Sequence, residues 1–131
     1  MKFYIEMNAV KEGLEVLGHD VLVPIEVEND QVPIDARPDV TDEEKISAKI
    51  EYDFIREHFF KIQVSEAILI LNFEKNGIPG YIGGNTFLEM GYAFGLGKKI
   101  FLMNPVPDMN YSVEMYSMKP TIIDSDLGRI R

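Results

Sequence analysis

Glu89 is the side chain with the most chemistry within reach. It follows a pair of glycines, Gly83 and Gly84, in the run GGNTFLEMGYA, and it precedes a Met-Gly pair. A carboxylate near the start of a helix, behind a glycine-rich loop, is either a cap or a reagent. Thr86-x-x-Glu89 fits the capping box, in which a threonine and a glutamate three residues on satisfy each other's backbone N–H groups. The reagent reading makes Glu89 a nucleophile or general base beside a helix N-terminus. Spacing alone leaves both open. Gly83 and Gly84 allow the backbone to pass close to a ligand.

These residues need elements to hold them. Phe87, Met90, Ala93, Phe94 and Leu96 recur at roughly helical spacing, and Gly97 is placed as a left-handed stop. Lys98 and Lys99 suit the negative end of that helix's dipole. Ile100–Met103 is an unbroken apolar run, as a strand buried on both faces requires. Upstream, Ala67–Leu71 has the same character, and Asn72 ends it. The loop FEKNGIPGYIGG follows, with Asn76-Gly77 as a turn signal. Downstream, Pro105–Asp108 is a rigid connection, Tyr111–Met118 fits a short helix, and Thr121–Ile123 a last strand.

The first part of the chain is less regular. Phe3, Met7, Val10, Leu14 and Leu17 predict an amphipathic helix from about residue 2, stopped by Gly18; MKFYI as a strand is the alternative. Val21–Pro24 reads as a strand. Residues 26–42 are acidic, carry two prolines and read as a long loop, either a solvated segment or a lid. Thr41-x-x-Glu44 opens a long helix to about Ile62. Strands alternating with helices imply α/β architecture, an open parallel sheet of four or five strands. Ligands of such sheets bind outside the carboxyl ends of the strands, where Asn72, Asn104 and the glycine loop all fall.

Composition removes several function classes. The chain has 131 residues, the size of a single domain. It has no cysteine, hence no disulfide framework or thiolate metal site, and only two histidines, His19 and His58. No cofactor is expected. A net charge of −9 argues against a nucleic-acid backbone as partner. No apolar run approaches the ~20 residues that span a bilayer, and no secretory signal is visible, so the cytoplasm is the expected compartment and no membrane partner is expected. The Walker A lysine and hydroxyl are missing from the glycine loop, and Asn72 stands where a receiver domain needs an aspartate.

AILILN, followed by GIPGYIGGNTFLEMGYAFGLGKKIFLMNPVPD, resembles the nucleoside 2-deoxyribosyltransferase-like superfamily. The resemblance runs from about Glu12 to Ile123 and is strongest over residues 65–108. It implies a flavodoxin-like three-layer sandwich, assembled as a homodimer or higher oligomer in which neighbouring subunits complete each site. It implies a nucleoside or nucleotide as ligand and Glu89 as nucleophile, giving N-glycosidic cleavage or deoxyribosyl transfer through a covalent glycosyl-Glu intermediate. Asn72 would bond the sugar or orient Glu89. Asn85 and the amides of Gly83 and Gly84 would contact sugar hydroxyls or a 5′-phosphate, and Tyr81 would stack on the base. The alternatives are a nucleotide-binding module without turnover, or a hydrolase of a larger nucleotide.

The chain departs from that family in two places. Family members carry a first strand and a small-residue loop before the first helix, whereas here residues 1–21 read as that first helix itself, so the expectation is a sheet without its first strand. Poor positioning of sugar and base is then expected to weaken activity. The transferases also place acidic groups near the leaving base. Asn72 cannot donate an acidic proton, and Asp108 is the remaining candidate. Met109, Met115 and Met118 offer adaptable apolar surface for self-association.

Overall fold

The computed structural model describes residues 4–23 and 54–130. The chain divides into two compact units, residues 1–60 and 61–131. In the first, helix α1 spans Tyr4–Val16, so the strand alternative for its opening fails from Tyr4 onward. Leu14 is its buried residue, Met7 and Val10 are half-buried, and Leu17, beyond the helix end, is exposed. The stop is the expected glycine. Gly18 takes φ +93°, its N–H bonds the Glu15 carbonyl at 3.0 Å, and the His19 N–H reaches back to the Leu14 carbonyl at 3.1 Å. Those two bonds are the Schellman pair, which needs a residue free to turn left-handed. Val21–Val23 joins no sheet, although Val23 is buried. The loop and helix opening expected over residues 26–53 lie outside the described residues. Helix α2 is Phe54–Gln63, within the span of the helix expected to reach about Ile62.

The second unit holds the sheet: β1 (Ala67–Ile70), β2 (Lys99–Leu102) and β3 (Thr121–Ile122), all parallel, in the order β1-β2-β3. Helix α3 (Gly84–Gly95) connects β1 to β2, and the short α4 (Ser112–Ser117) connects β2 to β3. This is α/β architecture, with three strands among the described residues. Ala67 pairs with Lys99 and Ile70 with Leu102; the Met103 N–H carries the ladder on to the Ile70 carbonyl at 3.0 Å.

The middle strand is the most buried. Ile100, Phe101, Leu102 and Met103 are all inside, as a strand flanked on both edges and covered on both faces must be. Truncating Leu102 to alanine would cost about 2–5 kcal/mol by the usual penalty for an emptied core position. Helix α3 packs on β1 and β2 through Met90 and Ala93, both fully buried. Phe94 and Leu96, expected on the same stripe, are exposed. At about 100° per residue, the arc centred between Met90 and Ala93 leaves both of them well off its middle. The helix ends as the sequence says. Gly97 has φ +73°, its N–H bonds Phe94 at 3.0 Å, and the Lys98 N–H bonds Ala93 at 2.9 Å, a second Schellman pair. Met115 is fully buried under α4 and offers no surface, contrary to the expectation that it would.

Candidate functional site

The beginning of α3 differs from the expected one, and the difference bears on Glu89. The helix starts at Gly84 with Gly83 as its N-cap, three residues before the expected Thr86 cap. The Gly83 carbonyl takes the first helical bond, from the Phe87 N–H at 2.9 Å. Thr86 is therefore the third helical residue and Glu89 the sixth, in the second turn. The capping box is not formed. Gly83 makes no side-chain cap bond, and no acidic residue lies in the first turn. A threonine followed three residues later by a glutamate matches the box wherever it falls. Glycine at the true cap has no side chain to mark it.

The strand ends are clasped by two asparagines. Asn72 is completely buried. Its Nδ2 donates to the Asn104 carbonyl at 2.8 Å and the Pro105 carbonyl at 3.2 Å, and its Oδ1 accepts from the Asn104 N–H at 2.9 Å. Asn104 returns the bond, its Nδ2 donating to the Asn72 carbonyl at 2.9 Å. Each bond satisfies a backbone group that the parallel ladder leaves open where β1 and β2 end. Asn72, expected to meet the sugar or orient Glu89, spends its side chain on this clasp. Gly80 completes it. Its φ is +69°, and a Cβ there would lie 2.6 Å from the Pro105 carbonyl oxygen and 3.3 Å from Asn72 Nδ2. Only glycine fits so close a crossing.

The glycine loop is then led to α3. Asn76 (φ 55°) and Gly77 (φ 76°) make the expected tight turn between the bridged Lys75 and Ile78. Glu74 steadies it, its Oε1 accepting from the Gly77 N–H at 2.7 Å. Tyr81 lies against Gly83, where a Cβ would sit 3.4 Å from the ring, and Lys75 Nζ stands 5.4 Å from the ring centroid. Packing on Gly83 and the ammonium of Lys75 thus hold the ring that was expected to stack on a base. Gly84 faces open space, with nothing within 4 Å of an added Cβ, and Asn85 is exposed beside it.

Tyr111 is the anchor that sequence reading missed. Its hydroxyl donates to the Ile82 carbonyl at 2.5 Å, and its ring stacks on Phe87 with centroids 4.4 Å apart. One side chain thereby ties the start of α4 to the glycine loop and to the first turns of α3. Burial, with the neighbouring Tyr81 adding to it, pushes the Tyr111 phenol above its ordinary value of 10.0. Its hydrogen remains in place for the bond to Ile82.

An open cavity of about 530 Å³ lies outside the carboxyl ends of β1 and β2. Phe73, Glu74, Pro79 and Gly80 form one wall and residues 104–108 the other. Its volume is in the range of small-molecule sites, and its place is where open parallel sheets bind ligands. Of the expected site residues, Asn72 holds its walls together from beneath. Glu89, Tyr81, Gly83, Gly84 and Asn85 do not line it, and Asp108 does. Among the described residues no group of three or more metal-ligating side chains is assembled. No described helix is long and apolar enough to cross a membrane. No family model matches the chain, and no curated protein or solved structure is detectably similar to it.

Proposed function

We propose that this chain cleaves or transfers the N-glycosidic bond of a nucleoside or nucleotide, with Glu89 as nucleophile. The observation that carries the reading is the cavity at the carboxyl edge of the parallel sheet, bounded by the loop that leads into the Glu89 helix. Glu89 stands in the second turn of that helix, past the expected Thr86 cap position. In the proposed reaction a Glu89 oxygen bonds to C1′ as the C1′–N bond breaks. The base leaves with the bonding electron pair and takes a proton, from water or from the Asp108 carboxyl on the cavity wall. Water, or a second base, then attacks C1′ and frees the Glu89 carboxylate, as in retaining glycosidases. No cofactor is required.

The clasped asparagines act in this scheme as positioning residues. Asn72 fixes the floor of the cavity, while Gly83, Gly84, Asn85 and Tyr81 shape the approach to α3. The proposal extends the sheet to four or five strands in a flavodoxin-like three-layer sandwich, in a cytoplasmic protein that self-associates. A second reading, a nucleotide-binding module without turnover, is favoured by one observation: the cavity walls do not include Glu89. Incubation with a panel of nucleosides and nucleotides separates the two. Free base appears if the chain is an enzyme, and binding without base release marks the module.

A further inference from the structure

The Asn76–Gly77 turn carries a chemistry of its own. Asn76 is the one asparagine of the chain that a glycine follows, and both residues are exposed to solvent. The nitrogen of a glycine has no Cβ beside it to hinder its approach to the preceding side chain. The reaction open to such a pair is deamidation. Hydroxide takes the proton of the Gly77 N–H, and the nitrogen's electron pair forms a bond to Asn76 Cγ. The Cγ–Nδ2 bond breaks, and Nδ2 leaves as ammonia with a proton from water, which restores the hydroxide. Water then opens the cyclic imide at either carbonyl. The product is aspartate, or isoaspartate where the chain now runs through the former side chain.

The fold holds this reaction shut in two ways. Asn76 has φ +55° and Gly77 φ +76°, and the backbones of Lys75 and Ile78 exchange both hydrogen bonds across them, at 3.2 and 3.0 Å. This is the tight hairpin turn whose central residues are both left-handed. In that conformation the Gly77 nitrogen and the Asn76 Cβ stand nearly opposite each other about the Cα–C bond, whereas ring closure needs them on the same side. The Gly77 N–H also donates to Glu74 Oε1 at 2.7 Å. Ionising an amide beside a carboxylate sets two negative charges against each other, so the attacking nitrogen forms less readily. We propose that Asn76–Gly77 is a deamidation site protected by the closed turn, with Glu74 as the residue that holds it shut. Modification follows opening of the turn, and it reaches the cavity. Glu74 on one side of the turn, and Pro79 and Gly80 on the other, form one of the cavity walls. Isoaspartate lengthens the turn backbone by a methylene, and either product places a new negative charge near Glu74, so both work against reclosure.

The test is incubation of the full chain at mildly alkaline pH, folded and in guanidinium chloride, with peptide mass spectrometry at successive times. The mass gained when an amide becomes a carboxyl, and the separate elution of the isoaspartyl peptide, report the reaction at each asparagine. Opening the turn breaks three hydrogen bonds, so Asn76 is expected to react at least about tenfold faster in denaturant than in the folded chain. In the folded chain, Glu74→Ala removes the acceptor and should speed the reaction severalfold. Glu74→Gln keeps an acceptor but not the charge, and should fall between Glu74→Ala and the wild type. Equal rates in the folded and denatured chains overturn the protection. Another asparagine that reacts before Asn76 in denaturant overturns the site. A folded Glu74→Ala that reacts at the wild-type rate overturns the assignment to Glu74.

Discussion

At the scale of single residues, Tyr111 is the most informative side chain outside the cavity. Replacing it by phenylalanine keeps the stack on Phe87 and deletes the bond to the Ile82 carbonyl. The expected loss at neutral pH is about 0.5–1.5 kcal/mol, the usual worth of one such bond. The pH dependence has a defined sign. Because the folded-state pKa is raised, the contribution of this phenol is complete below pH 10, where the folded and unfolded chains both keep the proton. Above that value the unfolded chain ionises first, and the contribution falls as pH rises through the raised value. Denaturant melts at pH 8 and above pH 10 should therefore show the gap between wild type and Tyr111→Phe closing. A gap that widens with pH would contradict the assignment. None of this could be read from the sequence, since the partners of Tyr111 lie 24 and 29 residues away in the chain. The same holds for Asn72. Its type and place at a strand end were legible, but its commitment to Asn104 and Pro105 depends on where another strand ends.

At the scale of elements, the stops of α1 and α3 were legible because Gly18 and Gly97 carry a left-handed conformation that few other residues adopt. So were β1, β2 and β3, each to within about a residue, because unbroken apolar runs have few other uses in a parallel sheet. The start of α3 was not, because the Thr86–Glu89 pattern also occurs inside a helix. Val21–Pro24 was expected as a strand, and its described residues, Val21–Val23, are not one; side chains that favour extension do not by themselves make a strand. The loop between β1 and α3 makes a comparative prediction. Gly80→Ala drives a Cβ into the Pro105 carbonyl at positive φ and should cost about 1–3 kcal/mol or more. Gly84→Ala meets nothing within 4 Å, at the first position of the helix, and should be neutral or slightly stabilising. Chemical denaturation of the two variants checks the pair. Equal stabilities would mean that the clasp does not hold Gly80 against Pro105.

At the scale of the whole molecule, apolar side chains remain on the surface of the second unit: Leu88 on α3, and Val113 and Tyr116 on α4, which are 73% and 63% exposed. Exposed groups this large one turn apart are costly to leave in water. Self-association is accordingly expected, and light scattering at micromolar concentration should report a mass above 15.0 kDa. A single species at the mass of one chain counts against it. Glu89 decides whether this molecule is a catalyst. The most direct measurement is intact-mass and peptide mass spectrometry of the chain after incubation with nucleosides, for wild type and for Glu89→Gln. Glutamine preserves the shape of the side chain but is a very poor nucleophile. The expected result is a glycosyl adduct on the Glu89 peptide of the wild type together with released base, and neither from a folded Glu89→Gln. Base release by Glu89→Gln at the wild-type rate would contradict the proposed chemistry.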